Sequence, residues 1–394
     1  MNSQKPTSQS QRIVLLDIFR GFAILGIFVV NIGAMNSSYF SQEEFVAQWT
    51  SPLDQIVELI LQLFFYTKFF PIFSLLFGLG ISMQAIRLSE KGLLNFSFFG
   101  RRMGFLFLIG LLHITFLFSG DVLNIYAILG VLITILIKRS NKLILTLALV
   151  FLLFPFYDQV LGGILEFFNF DPGVFLADYT PQKVNEIIRF GSYVDSIKFR
   201  WLEYMYNIPL LFGFFAPMAM AMFLLGLYLG KNKIYEKLDS YIFQIRKPML
   251  WITLFTCIYR LLFLFVFTGW DIYRTEVGRT IFIKLMVLSD IQFGMFYLWL
   301  IGWVWYHTHW QKILSPLQYV GRMALTNYIF QSLVGLILFS SVGFGLYETM
   351  SPFQSLATAF GVFIFQVIFS KIWFNYFKSG PLEWIWRRFT YRNN

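Results

Sequence analysis

Long apolar runs alternate with short polar breaks along this chain, on a scale larger than that of most soluble helices or strands. Ten apolar stretches stand out, at roughly 13–35, 55–84, 99–118, 122–138, 142–160, 207–230, 248–268, 281–306, 322–340 and 353–374. A run of about 18 or more apolar residues is long enough to cross the hydrocarbon core of a bilayer as a helix. The pattern predicts an all-α fold, a polytopic membrane helix bundle of about ten transmembrane helices. The first run is too long for a signal-peptide core and lacks a small-x-small cleavage site, so it reads as a retained span. Lys68 and Pro71 interrupt the second run. Proline inside a helix removes a hydrogen bond and kinks the chain, so a bent or broken helix is expected there.

The polar breaks differ in charge, and the difference sets an orientation. With the N-terminus inside, the cytoplasmic segments are 1–20, 85–102, 138–142, 231–247, 307–322 and 371–394, which hold 22 of the 31 Lys and Arg. The positive-inside rule then places both termini in the cytoplasm and the protein in the cell membrane. The formal charge of +10 is a topological signal, helped by anionic lipid heads, and no nucleic-acid partner is expected. The chain reads as a single transmembrane domain over 1–394. Within it, 161–206 is an extracytoplasmic cap segment with helical parts near 181–206. Residues 375–394 form a cytoplasmic amphipathic tail, "GPLEWIWRRFTY", suited to anchoring at the interface. No internal repeat is visible, which weighs mildly against an inverted-repeat transporter.

Composition agrees. The chain is 57% hydrophobic and 13% charged, against about 25% charged in soluble domains, which leaves too little polar surface for a water-facing globule. Its single Cys257 lies in an apolar run, so no disulfide framework or thiolate metal cluster forms within one chain.

Polar side chains inside the apolar runs are costly and therefore carry the functional signal. Asp17 and Arg20 are three apart on the first helix and can pair; Asn31 falls on the same stripe, about 21 Å further along at 1.5 Å per residue. The pair reads as structural, with a place in a reaction site as the alternative. In "GLLHITFLFSGDVLNIYAILG", a tight turn makes the third and fourth helices antiparallel neighbours. Asp121 can fold back to His113 as the partner of a general base, or cap the fourth helix. In "GRMALTNYIFQSL", Arg322, Thr326, Asn327, Tyr328 and Gln331 form two polar strips. These suit interhelical hydrogen bonds or a binding wall for an anionic cofactor. Arg260, Glu58 and Lys68 are further ionisable groups within spans. His307 and His309 have no carboxylate companion nearby, and no metal site is expected. Nucleophile-elbow, Walker and Rossmann patterns are absent.

The stretches "LLDIFRGFAILGIFVVNI", "FFPIFSLLFGLGISMQ", "LLHITFLFSGDVLNIYAILG", "MFLLGLYLGK", "GRMALTNYIFQSLV" and "GPLEWIWRR" together resemble the YeiB-like membrane proteins, which carry domain of unknown function 418. The Asp-x-x-Arg-Gly signature of the first helix is similar to that of the transmembrane acyltransferase superfamily. That resemblance implies a bundle passing an acyl group from cytoplasmic acyl-CoA, the donor substrate, to an extracytoplasmic glycan, lipid or small-molecule acceptor. Membrane lipids are partners in this picture, and a homodimer is compatible with it. In the sugar O-acyltransferases of that superfamily a histidine stands fourteen residues after the Asp. Here the position is Asn31, and residues 32–54 contain no histidine. If the chain is such an enzyme, His113, the one histidine at the outer half of the bundle, replaces the missing group by position rather than by homology, with Asp121 as its orienter and Asn31 as an oxyanion donor. Arg20, Arg322, Asn327 and Arg260 would hold the donor's phosphates. The competing reading is a transporter, exporter or lipid-handling protein that keeps the bundle without its chemistry. A non-catalytic scaffold is the third.

Overall fold

The computed structural model describes residues 13–391, and the regular elements among them are helical. They run α1 (Val14–Asn36), α2 (Pro52–Phe64), α3 (Phe69–Glu90), α4 (Phe96–Phe116), α5 (Leu123–Leu136), α6 (Asn141–Leu153) and α7 (Tyr157–Phe167). After these come α8 (Pro181–Phe190), α9 (Tyr193–Tyr206), α10 (Ala216–Lys231), α11 (Arg246–Phe265) and α12 (Glu276–His307). The last are α13 (Leu317–Arg322), α14 (Ala324–Phe339), α15 (Pro352–Tyr376) and α16 (Pro381–Thr390). Among the described residues, seven helical stretches are long and apolar enough to cross a membrane, or nine if two sharply bent pairs each count as one span. The remaining expected span is α5, which has only 14 residues. At 1.5 Å per residue it reaches about 21 Å, short of a ~30 Å hydrocarbon core.

The bends have local causes. Helices α6 and α7 meet at 84°, with Pro155 between them. Phe154 takes the extended conformation that the residue before a proline prefers (φ −65°, ψ 124°). Helix α14 leaves the preceding helical segment at 83°. Its exposed N-terminal amides are taken up by Glu383 of α16, which accepts from Leu325 N (2.8 Å), Thr326 N (3.1 Å) and Thr326 Oγ1 (2.6 Å). Carboxylates favour helix N-termini because free N–H groups and the helix dipole both point at them. The tail therefore docks on the bundle as well as presenting an outward face. Trp386 Nε1 donates to Arg102 O (2.8 Å), while Trp384 and Phe389 stay exposed. We expect Glu383→Ala to cost about 1–3 kcal/mol, the penalty of buried donors left unmade, and to lower the melting temperature in detergent. An unchanged melting curve would show that the contact is dispensable.

The second expected span is interrupted by a turn over residues 65–68, where Thr67 adopts φ 65°. Pro71 lies in the first turn of α3, where a missing N–H is tolerated, so the break precedes it. The turn frees carbonyls of α2 inside the bundle, where they need partners. Lys68 Nζ donates to Gln62 O (2.7 Å), and Arg260 of α11 donates to Leu63 O. Asp290, midway along α12, balances both cations: Lys68 Nζ lies 2.8 Å and Arg260 Nε 3.2 Å from its Oδ1.

Close packing depends on small residues at helix contacts. A Cβ on Gly21 would strike Leu317 O, and one on Gly321 would strike Asp17 O. Likewise Gly78 faces the Phe223 backbone and Gly226 faces that of Leu75, joining α3 to α10. The Arg-Gly of the first-helix signature thus places α13 directly against α1.

Candidate functional site

The turn between α4 and α5 builds the centre of the site. Gly110 lets the two helices touch, since a Cβ there would lie 2.8 Å from Asn124 N and 3.0 Å from Asp121 Oδ2. Asp121, 0% exposed, uses one oxygen for each of the roles open from sequence. Its Oδ2 accepts from Leu123 N (3.0 Å) at the start of α5. Its Oδ1 lies 2.9 Å from His113 Nδ1 and accepts from the Tyr328 hydroxyl (3.1 Å) of α14. The His113 N–H does not aim straight along the line to that oxygen, so the approach is close but not aligned. Catalytic contacts commonly tighten only when substrate is bound. His113 is 1% exposed, and its Nε2 has no partner among the described residues. Its ring lies 5.1 Å from that of Tyr328, centroid to centroid. This buried group sets a carboxylate beside one imidazole nitrogen and leaves the other without a partner among the described residues, the constellation of a general base once the pair is aligned.

On one side of this group lies a cavity of about 550 Å³, within the range of cofactor and small-molecule sites. Segments carrying the basic excess in sequence converge on it: the start of α1, the end of α3, Arg102, residues 233–236, the α13–α14 bend and α16. Arg20, Arg87, Arg102, Lys233, Arg322 and Arg387 line it, against Asp17, Glu90, Glu236 and Glu383. Some charge is internally paired: Arg20 Nη1 lies 2.8 Å from Asp17 Oδ1, and Lys233 Nζ lies 2.8 Å from Glu90 Oε1. Arg322 stacks over the Phe374 ring at 3.7 Å, and its Nε has no hydrogen-bond partner among the described residues. At its inner limit the cavity touches Leu106, Leu123 and Tyr328. Tyr328 is therefore the partition between the cavity and His113.

On the opposite side, a smaller cavity of about 70 Å³ lies under helix α9. Glu203 forms part of its wall and accepts from Ser119 Oγ (2.5 Å) and from Ser38 Oγ. Burial pushes the Glu203 carboxyl above its ordinary value, although bonds from Ser119, Ser38 and the Tyr39 backbone pull it down. The fold thus favours the protonated acid more than the unfolded chain does. Its contribution is full below about pH 4.3, the ordinary glutamate value, and is lost as pH rises through the raised value. The expected result is a melting temperature that falls over that window in the wild type and falls less in Glu203→Gln. Parallel curves for the two proteins would overturn this.

The structure brings His113 and Asp121 together, and places Arg20 and Arg322 on the large cavity. Three other expected site residues are elsewhere. Asn31 lines neither cavity. Asn327 is buried between helices, donating to Val320 O (3.3 Å) and Ser370 Oγ (3.2 Å). Arg260 belongs to the Asp290 cluster, where the carbonyls of the broken second span need it. His307 stacks on Trp303 with ring centroids 4.3 Å apart. Sequence reasoning placed Tyr328 only in a polar cluster read as interhelical bonding or a binding wall, and did not assign Glu203 or Arg200 to the site. Only the polar run "TNY" marked Tyr328.

A chain folded this way is a membrane-embedded helical protein that keeps its polar chemistry inside the bundle. It belongs to the YeiB-like family: the family described as "Protein of unknown function (DUF418)" matches residues 229–393. It is 30% identical to the uncharacterized protein YxaH of Bacillus subtilis (strain 168), over 99% of this chain and 97% of that protein. It is 25% identical to the uncharacterized protein YeiB of Escherichia coli (strain K12), over 97% of each chain. No solved structure matches it.

Proposed function

We propose that this protein is a membrane acyltransferase, taking acyl groups from acyl-CoA at the cation-lined end and passing them to an acceptor at the other. One observation carries the reading. The cation-lined cavity ends at Tyr328, which contacts both members of the buried His113–Asp121 pair, and a second cavity opens beyond them. In this reading ten spans cross the cell membrane, with the bent pairs and α5 among them, and both termini are cytoplasmic. The basic end is then cytoplasmic, where the donor resides.

Arg20, Arg322 and their neighbours hold the donor's phosphates by charge-assisted hydrogen bonds. His113 Nε2 takes the proton from the acceptor's hydroxyl or amine as that atom forms the new bond to the acyl carbon. The carbon–sulfur bond breaks, and the proton passes from Nε2 to the departing sulfur. Asp121 keeps the imidazole oriented and stabilises it while it is charged. Tyr328 must swing aside for the thioester to reach Nε2.

Purified protein incubated with labelled acetyl-CoA is expected to release CoA and to transfer label in a His113-dependent way. The exporter reading has one observation in its favour: the two cavities lie on opposite sides of a buried plug. Substrate flux into liposomes without CoA would select it instead.

A further inference from the structure

The small cavity under α9 contains donors that the fold leaves unused. Arg200 is 7% exposed, yet its Nη1 has no hydrogen-bond partner among the described residues. Ser196, one turn earlier on the same face and 3% exposed, has a hydroxyl in the same condition. Both line the cavity. Glu203, one turn beyond, acts on Arg200 electrostatically, but its two oxygens accept from Ser38 and Ser119 and no hydrogen bond from Nη1 reaches it. The Arg200 guanidinium otherwise rests over the Tyr193 ring at 5.2 Å. By contrast, Arg189 of the neighbouring α8 donates to the backbone, to Gly345 O (2.9 Å).

A buried N–H left without an acceptor is costly, and a preorganised guanidinium with an adjacent hydroxyl matches a carboxylate or phosphate oxygen. A space of about 70 Å³ is several times the roughly 10–15 Å³ that a single water needs, which suits one such group. We propose that this cavity binds the anionic group, carboxylate or phosphate, of a small molecule entering from the end opposite the large cavity. The other wall is formed by Leu117, Phe118 and Ser119, and the Phe118 ring lies 6.4 Å from the His113 ring. A molecule anchored on Arg200 therefore extends toward His113. As the identity of the acyl acceptor, this rests on the acyltransferase reading; as a binding site, it does not.

The test uses the full chain in nanodiscs without any acyl donor, titrated calorimetrically with glycerol 3-phosphate, lactate or neutral glycerol. Saturable binding of at least one anion and none of glycerol is expected. Preference for glycerol 3-phosphate identifies a phosphate ligand, and preference for lactate a carboxylate. Arg200→Gln should weaken binding about tenfold or more, the scale of a lost charge-assisted contact. Ser196→Ala should weaken it by roughly two- to fivefold, and carries the test if Arg200→Gln does not fold. Anions that bind no better than glycerol, or equally well to both variants, overturn the proposal. Anion binding without His113-dependent acyl transfer overturns only the acyltransferase reading. Acyl transfer to a neutral acceptor without anion binding overturns only this one.

Discussion

Replacing Asp290 with alanine is expected to abolish or severely reduce the yield of folded protein. Asp290 is 4% exposed and faces two cations that are themselves buried, Lys68 and Arg260. Removing one partner of a buried ion pair costs about 3–5 kcal/mol, because the other charge stays desolvated and uncompensated. Here a single carboxylate serves two cations. The damage extends to the backbone, since those cations also satisfy Gln62 O and Leu63 O where the second span breaks. Lys68→Met should be milder, because Arg260 and Thr67 remain on Asp290. The measurement is thermal melting with monodispersity in detergent. An Asp290→Ala protein that melts with the wild type would show that the cluster is not a structural keystone.

His113→Ala is expected to lower acyl transfer by about 10²–10⁴-fold, the usual contribution of a positioned general base, with only a modest change in melting. The side chain fills a site between Asp121 and Tyr328, but its Nε2 holds no structural bond among the described residues. Tyr328→Phe removes one donor to Asp121 and leaves His113 in place, so its effect should be smaller. Unchanged transfer in His113→Ala removes the histidine from the reaction. If melting falls as steeply as transfer, the residue is a packing element and the base lies elsewhere.

The membrane helices were legible because lipid demands long apolar runs, and their lengths alone separate them from soluble helices. The length of α5 was less so, since the span expected over 122–138 takes in Val122, Ile137 and Lys138, which lie outside the helix. The span expected over 142–160 did not anticipate its 84° bend at Pro155, and the break at 65–68 could not be placed by Pro71, which belongs to the following helix. His113 and Asp121 were legible because a short connection, residues 117–122, joins α4 to α5 and carries Asp121 back beside His113. Tyr328 and Glu203 reach the same region from helices far away in sequence, and no periodicity reveals such a meeting. Arg260 was misleading for a definite reason. An intramembrane arginine signals that something negative or carbonyl-rich needs it, and here that something is a broken helix.

The docking of α16 also sets an order of assembly. Residues 383–391 complete the wall of the cation-lined cavity and cap α14, yet in chain order they follow every candidate membrane span. While the ribosome is still making that tail, the inserted helices have an open cavity and an uncapped α14. The cavity wall and the α14 cap are thus completed by a segment synthesised after the spans they rest on.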